Sequence, residues 1–416
     1  MKLKGKLKST VLKNIRFILI SLSKFSDIKY ILFILGLAHK KYRGLSRKKL
    51  IYLDCSNNSI KTIRPEYNSY SYGHMDLSGN YDKLIINIPE IKLYQFENAQ
   101  VVSNSSHIIT DTTAYVERVN NITSVTADYS TGLIFDHSDK FALVESQPIL
   151  GVIEKAMFLG GNGSFNYYHW LIEILPKLRY FSESLLLDKA VVILLSKKAL
   201  DIPSFYEILQ KALNMNMDNV IFMEPDAVYL VDDLYHMASP NNLVFNLRGQ
   251  KFNPSFSYFR YEALDYVKNL AYSLSASQNY KFTKDLPTKI FLARKSTMRN
   301  YNQEEIVSLV KNIGFESVYL EDYTFSQQVE MFKNAKVIIG PTGAAWTNLI
   351  FCRPNVKCLC WMSKTIGDFS GFSNLAIYAQ VNLYYINHEY DISSEYYTDY
   401  VLNADKLLHT IEKICH

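Results

Sequence analysis

Two clusters of residues in this chain have the types and spacing that chemistry needs. The first is Asn166-Tyr167-Tyr168-His169-Trp170-Leu171-Ile172-Glu173-Ile174-Leu175-Pro176-Lys177. At helical spacing His169, Glu173 and Lys177 fall at i, i+4 and i+8 on one face, while Trp170, Leu171, Ile174, Leu175 and Leu178 take the other. An imidazole one turn from a carboxylate makes a general base with its orienter, because histidine titrates near neutrality and the carboxylate keeps it proton-accepting. Either His169 or Glu173 fills the role of base, and the other orients it. On a merely solvated face the same pair would supply about 0.2–0.5 kcal/mol of helix stability.

The second cluster is Gly340-Pro341-Thr342-Gly343-Ala344-Ala345-Trp346-Thr347-Asn348, directly after an apolar run. Small residues let a phosphate approach the backbone, and the N–H groups that open a helix favour negative charge. The pattern is neither G-x-G-x-x-G nor a Walker loop, which disfavours nicotinamide and ATP chemistry. Without a ligand it is a tight strand-to-helix turn. Arg294 ends another apolar run and Arg299 follows five residues later. Two guanidiniums there suit a diphosphate through bidentate contacts. Cys358 and Cys360, one residue apart, do not match the spacing of a zinc knuckle and read as buried thiols in a strand.

The elements that must position these groups follow from hydrophobic periodicity and turn residues. Residues 51–150 read as β-rich and irregular, with strands at Lys83–Ile88, Lys92–Phe96 and His107–Glu117. From about residue 151 strands and helices alternate. The turn Gly160-Gly161-Asn162-Gly163 leads into a helix from about Tyr167, and strands follow at Ala190–Leu195, Val220–Met223 and Ala227–Val231. A helix over Phe256–Ser275 precedes a polar hinge. A second array begins with a strand at Lys289–Ala293. A capping box at Asn302-x-x-Glu305 then opens a helix closed by Gly314, and Thr324 to Gln327 cap another. Strands at Ser317–Leu320, Lys336–Ile339 and Val356–Trp361 complete it.

The expected fold is therefore α/β, with two Rossmann-like domains facing a cleft and a nucleotide at strand carboxyl ends. The expected boundaries are an arm over 1–50, an acceptor-side domain over 51–285 (β-rich to 150, Rossmann-like from 151), a nucleotide-binding domain over 286–380, and a segment over 381–416 packing back on the body.

The net charge of +5 conceals an asymmetry, since residues 1–50 hold 14 Lys/Arg and a single acid, Asp27. A basic arm on a mildly acidic body is not the footprint of a nucleic-acid-binding domain. With Ile28, Ile31, Leu32 and Leu35 at helical spacing, it predicts a basic amphipathic helical arm on anionic lipid, or helices packed on the body. No run reaches the roughly 18–20 apolar residues of a membrane span, and no small-residue cleavage site follows. A cytoplasmic protein, peripheral on the inner face of the cell membrane, is expected.

Together the two clusters resemble glycosyltransferase family 61, which contains bacterial capsule and lipopolysaccharide enzymes, plant xylan-decorating transferases and animal O-linked N-acetylglucosaminyltransferases. Asn166–Pro176 is similar to the family's Tyr-x-His-Trp-x-x-Glu/Asp block. Lys289–Phe351 is similar to its carboxyl-terminal signature through Arg294, Arg299, Asn302-x-x-Glu305, Gly314-Phe315, Phe325-x-x-Gln328 and Gly340 to Asn348. The resemblance implies a GT-B fold, a nucleotide-sugar donor held by the carboxyl-terminal domain, inversion at the anomeric carbon, and no metal or other cofactor.

On this reading catalysis falls to His169 and Glu173, and the donor diphosphate to Arg294, Arg299, Gly340, Pro341, Thr342, Gly343 and Ala344. Glu321 is a candidate for the nucleoside, while Gln328 and Asn348 brace the loop. The family usually has His where this chain has Thr342, which must substitute through its hydroxyl and the local N–H groups. The expected function is sugar transfer to a glycan or lipid-linked acceptor in capsule or O-antigen synthesis. The alternative is a non-catalytic member of a polysaccharide assembly complex, or one transferring a polyol phosphate or a pyruvyl group.

Overall fold

The computed structural model describes residues 44–117, 127–184, 191–214, 216–243, 252–277, 285–295, 299–364, 369–388 and 399–415. Residues 44–243 contribute an eleven-stranded mixed sheet. It contains β1 (Leu45–Tyr52), β2 (Ile91–Val102), β3 (Ile149–Phe158), β4 (Val192–Ser196), β5 (Val220–Met223) and β6 (Val228–Met237). Its parallel part runs in the order β5-β4-β3-β6. β2 lies antiparallel to β6, with Leu93 opposite Met237 and Val102 opposite Val228. Beyond β2 the sheet continues through short strands and β1. One sheet thus carries most of the β-rich stretch and the first strand–helix array, while Tyr67–Tyr72 and Lys83–Ile88 pair in a two-stranded sheet of their own. The longer helices of that array are α1 (Lys177–Glu183) and α2 (Pro203–Ala212), the latter with Pro at its first position, where no N–H is needed. α3 (Tyr261–Ser277) leads on to the second array.

The second array is a fully parallel five-stranded sheet. It comprises β7 (Lys289–Leu292), α4 (Gln303–Asn312), β8 (Glu316–Val318), α5 (Phe325–Asn334), β9 (Val337–Pro341), β10 (Lys357–Ser363), α6 (Gly371–Ala379), β11 (Asn382–His388) and α7 (Ala404–Cys415). The strand order is β8-β7-β9-β10-β11. β9 is buried at every position, as a parallel strand covered on both faces must be. α5 starts in the expected capping box, the Thr324 hydroxyl accepting from the Gln327 N–H and the Gln327 side chain accepting from the Thr324 N–H.

In each sheet the chain winds first to one side of a strand, then crosses to the other. The reversal falls between β3 and β6 in one sheet and between β7 and β9 in the other. Crevices at such reversals, outside the strand carboxyl ends, are where α/β sheets hold ligands. The two sheets also share a core: one cluster runs from Trp170, Ile174 and Phe205 through Leu264 to Phe325, Trp346 and Leu375. Glu207 of α2 accepts the N–H groups of Phe325 and Ser326 at 2.8 and 3.2 Å, closing the amino end of α5 from the other sheet's side.

Three expectations are corrected. The helical, lipid-facing arm was expected over 1–50, but residues 45–50 belong to β1, with Leu45 and Leu50 buried and Lys49 paired to Thr113. Apolar residues at both ends of a strand-length run win there over charge. Residues 1–43 lie outside the described residues. Asn302 does not cap α4 through its side chain. Its amide instead donates to the Leu402 carbonyl and accepts the Leu402 N–H, tying the carboxyl-terminal stretch to α4. Finally, the second sheet does not stop at residue 380, because β11 pairs along β10 from Lys357–Asn382 to Ser363–His388.

Candidate functional site

The turn after β3 is shaped by its glycines. Gly163 takes φ +70°, and a Cβ there would come within 2.6 Å of His169 Cδ2, so only glycine lets the imidazole pack against this turn. Asn166 starts the helical segment, its side chain accepting the Tyr168 N–H and its carbonyl the Trp170 N–H, both at 2.9 Å. Residues His169–Ile174 then form a π-helical turn, with Leu175 N–H donating to the Trp170 carbonyl at 2.9 Å. Such widened turns recur at functional sites. Pro176, without an N–H, interrupts the ladder before α1.

Within this turn His169 Nδ1 and Glu173 Oε2 are 2.6 Å apart. The other carboxylate oxygen, Oε1, accepts the Leu243 N–H at 2.7 Å. Glu173 is buried and held at both oxygens, so its geometry is that of an orienter, while His169 keeps more of its surface. Burial pulls the imidazole down, but the Glu173 charge and hydrogen bond outweigh it and raise His169 above its ordinary value. Asn241, after β6, locks the turn from behind: its amide donates to the Ile172 carbonyl at 2.8 Å and accepts the Arg260 N–H at 2.7 Å. Asn241 was not among the expected site residues. A Pro-Asn-Asn loop after a strand is all the sequence offers to find it.

The second site forms at the reversal between β7 and β9. Arg294 follows β7, and the Gln303 side-chain amide clamps its backbone, accepting the Arg294 N–H at 2.8 Å and donating to its carbonyl at 2.9 Å. Gln303 is a second positioning residue that sequence reasoning missed, hidden inside the expected capping box. A Cβ on Gly343 would lie 3.2 Å from Arg294 Nη2, so the glycine turn and the guanidinium pack directly together. Arg299 adopts φ +55°, an uncommon conformation for a residue with a side chain. Arg294 and Arg299 both act on Cys360, His388 and Tyr400, marking one electropositive locus. Burial, with the two arginines, pushes His388 down to about 3. His388 was not anticipated, because it lies in β11, beyond the residues that carry the resemblance.

Gly340 and Pro341 are buried in β9. A Cβ on Gly340 would strike Leu292 at 2.8 Å, so that glycine serves the packing of β9 on β7. Thr342 is buried, its N–H donating to the Trp361 carbonyl at 2.8 Å. With that N–H taken, the backbone this turn offers an anion lies at Gly343 and Ala344. Glu321 sits exposed in the short turn after β8, its charge reaching Lys295, the neighbour of Arg294. Gln328 donates to the Leu320 and Tyr323 carbonyls at 2.9 and 3.2 Å and accepts from Asn348 Nδ2 at 3.3 Å.

The two sites are joined by one contact. Tyr167 OH, two residues before His169, donates to Asn348 Oδ1, five residues after Gly343, at 2.6 Å. The chain thus brings the imidazole–carboxylate turn and the glycine turn onto one hydrogen-bonded line, Tyr167–Asn348–Gln328. Residues 167–359 match the model of the family described as Glycosyltransferase 61. The matched span opens at Tyr167 and contains His169, Glu173, Arg294, Arg299 and the turn Gly340–Ala344, while His388 lies beyond it. No curated protein matches the chain.

Proposed function

We propose, from the premise that residues 167–359 make this chain a glycosyltransferase of family 61, that it is an inverting, metal-independent enzyme. Its donor is a nucleotide sugar and its acceptor a glycan or lipid-linked saccharide of capsule or O-antigen synthesis. In this reading the two strand reversals form the facing halves of a GT-B fold. Inversion takes one in-line displacement. The acceptor oxygen bonds to the anomeric carbon as the bond to the nucleoside diphosphate breaks, and the hydroxyl proton passes to His169 Nε2. Glu173 holds the ring by Nδ1 and stabilises the imidazolium that forms. Arg294, Arg299 and the N–H groups at Gly343 and Ala344 meet the charge developing on the diphosphate. In this reading Glu321 accepts ribose hydroxyls.

The observation that carries this reading is the Tyr167–Asn348 hydrogen bond, which ties the base's turn to the diphosphate's turn. Among the described residues no helix is long and apolar enough to cross a membrane. The Lys-rich sequence before β1 is proposed to rest on anionic lipid, placing the enzyme peripherally on the inner face of the cell membrane.

The test is incubation of the full chain with a panel of UDP-, GDP- and CMP-sugars, with mass spectrometry of retained ligand and released nucleotide. Turnover of one donor is expected, lowered at least ~10²-fold by His169→Ala and by Glu173→Ala with donor retention kept. Wild-type turnover in both variants, or no turnover of any nucleotide sugar, overturns the reading.

A further inference from the structure

Arg299 is one of the two guanidiniums that the proposed reaction sets on the donor diphosphate, yet its backbone takes the left-handed φ of +55°. A residue with a side chain keeps that conformation where its surroundings enforce it. The enforcing contacts come from far along the chain, in the segment Asp399–Leu402 between β11 and α7. Both backbone polar groups of Asn300, the next residue, engage this segment. The Asn300 N–H donates to Asp399 Oδ1 at 2.8 Å, and the Asn300 carbonyl accepts the Tyr400 N–H at 2.9 Å. The two bonds between Asn302 and Leu402 continue the same seam.

Tyr400 seats the segment. It is buried, and its ring stacks on His388 with centroids 3.8 Å apart and on Tyr301 at 5.2 Å, the planes within 4° and 8° of parallel. Its hydroxyl accepts the Trp361 Nε1–H at 3.0 Å. The Tyr301 hydroxyl in turn donates to Gln303 Oε1 at 3.1 Å, on the amide that clamps Arg294. Burial of aromatic surface is reason enough for Tyr400. Asp399 is exposed, and an acid beside an anion site opposes the anion by its charge. Its place there calls for a different reason, and the bond to the Asn300 N–H supplies one.

We propose that Asp399 is a positioning residue for the donor: by accepting the Asn300 N–H it holds the Arg299 backbone in the conformation that brings the guanidinium to the diphosphate. The inference rests on Arg299 being a diphosphate ligand. Charge and geometry then pull in opposite directions. If charge alone mattered, truncating Asp399 would tighten anion binding. If Asp399 positions Arg299, truncation must weaken binding, while the isosteric amide, whose carbonyl oxygen can still accept the Asn300 N–H, must not.

The test is titration calorimetry of the full chain with UDP and with GDP, the one that the wild type binds being carried through the variants. Arg299→Ala is expected to weaken binding about tenfold or more, and Asp399→Ala about fivefold or more. Asp399→Asn binds as tightly as the wild type or more so. The double variant of Arg299→Ala with Asp399→Ala binds no more weakly than Arg299→Ala, because nothing is left to position. Asp399 is exposed, so neither substitution there threatens the fold. Affinity unchanged or tightened in Asp399→Ala, equal weakening in Asp399→Asn, or losses that multiply in the double variant overturn the proposal. Binding of neither nucleotide by the wild type, or wild-type affinity in Arg299→Ala, sinks the diphosphate assignment itself and this inference with it, so the two failures are told apart.

Discussion

Removing one oxygen, in Tyr167→Phe, tests whether the two sites are mechanically one. Asn348 is fully buried, and its amide cannot turn over to compensate. Gln328 is oriented by the Leu320 and Tyr323 carbonyls, so its Oε1 faces Asn348 Nδ2. A flipped Asn348 would set two carbonyl oxygens against each other. The variant therefore leaves a buried acceptor without its donor, at a cost of about 1–3 kcal/mol. At about 2.1 cal/mol/K per residue over the full length, that is a fall in Tm of about 1–3 °C. Paired with Asn348→Ala in a double-mutant cycle, urea unfolding should give a coupling energy of at least ~1 kcal/mol. Because the sites share this link, kcat should fall about tenfold or more, with donor KM nearly unchanged. A coupling energy near zero, or a stability loss with wild-type kcat, would refute the claim that this bond aligns the base with the diphosphate turn.

Glu173→Gln removes the charge that raises His169, so the acid limb of kcat/KM, seen in initial-rate pH profiles, should move to lower pH while kcat drops at least ~10²-fold. By the same linkage the pair stabilises the wild-type fold below the unfolded imidazole's value, and that contribution is lost as pH rises through the raised folded value, a difference thermal melts across pH 5–8 would expose. Gly163→Ala must strain a φ of +70° and displace the His169 ring, with about 1–2 kcal/mol lost in urea unfolding and turnover down at least tenfold. Gly343→Ala has an extended φ of 171° and so no backbone strain. It should leave stability within about 0.5 kcal/mol yet, by pushing Arg294 aside, weaken donor binding about tenfold in calorimetry, equivalent to about 1.4 kcal/mol.

The local chemistry was written plainly in the chain. Spacing alone put His169 one turn from Glu173, and short apolar runs placed β7, β9 and β10 within a residue or two of where they fold. Thr324 and Gln327 form their capping box because both partners lie within one turn. Asn302 carried the same signal and folds otherwise. Its amide finds Leu402, a hundred residues away, and no local pattern encodes that competition. The basic arm failed at its end for a related reason, since the strands that take up residues 45–50, Thr113–Val116 and Phe141–Glu145, lie far onward in the chain.

Helix period, strand alternation and turn chemistry are properties of neighbours along the chain, so they could be read from it directly, together with the identity of the reactive side chains. Which reactive groups meet was settled by folding. It gave Glu173 its second bond from Leu243, tied Thr342 to Trp361, clamped Arg294 with Gln303, buried Lys177 beside Glu117, and closed Tyr167 onto Asn348. Those contacts depend on how two sheets share one core, and their energies come from desolvating groups that are far apart in the chain.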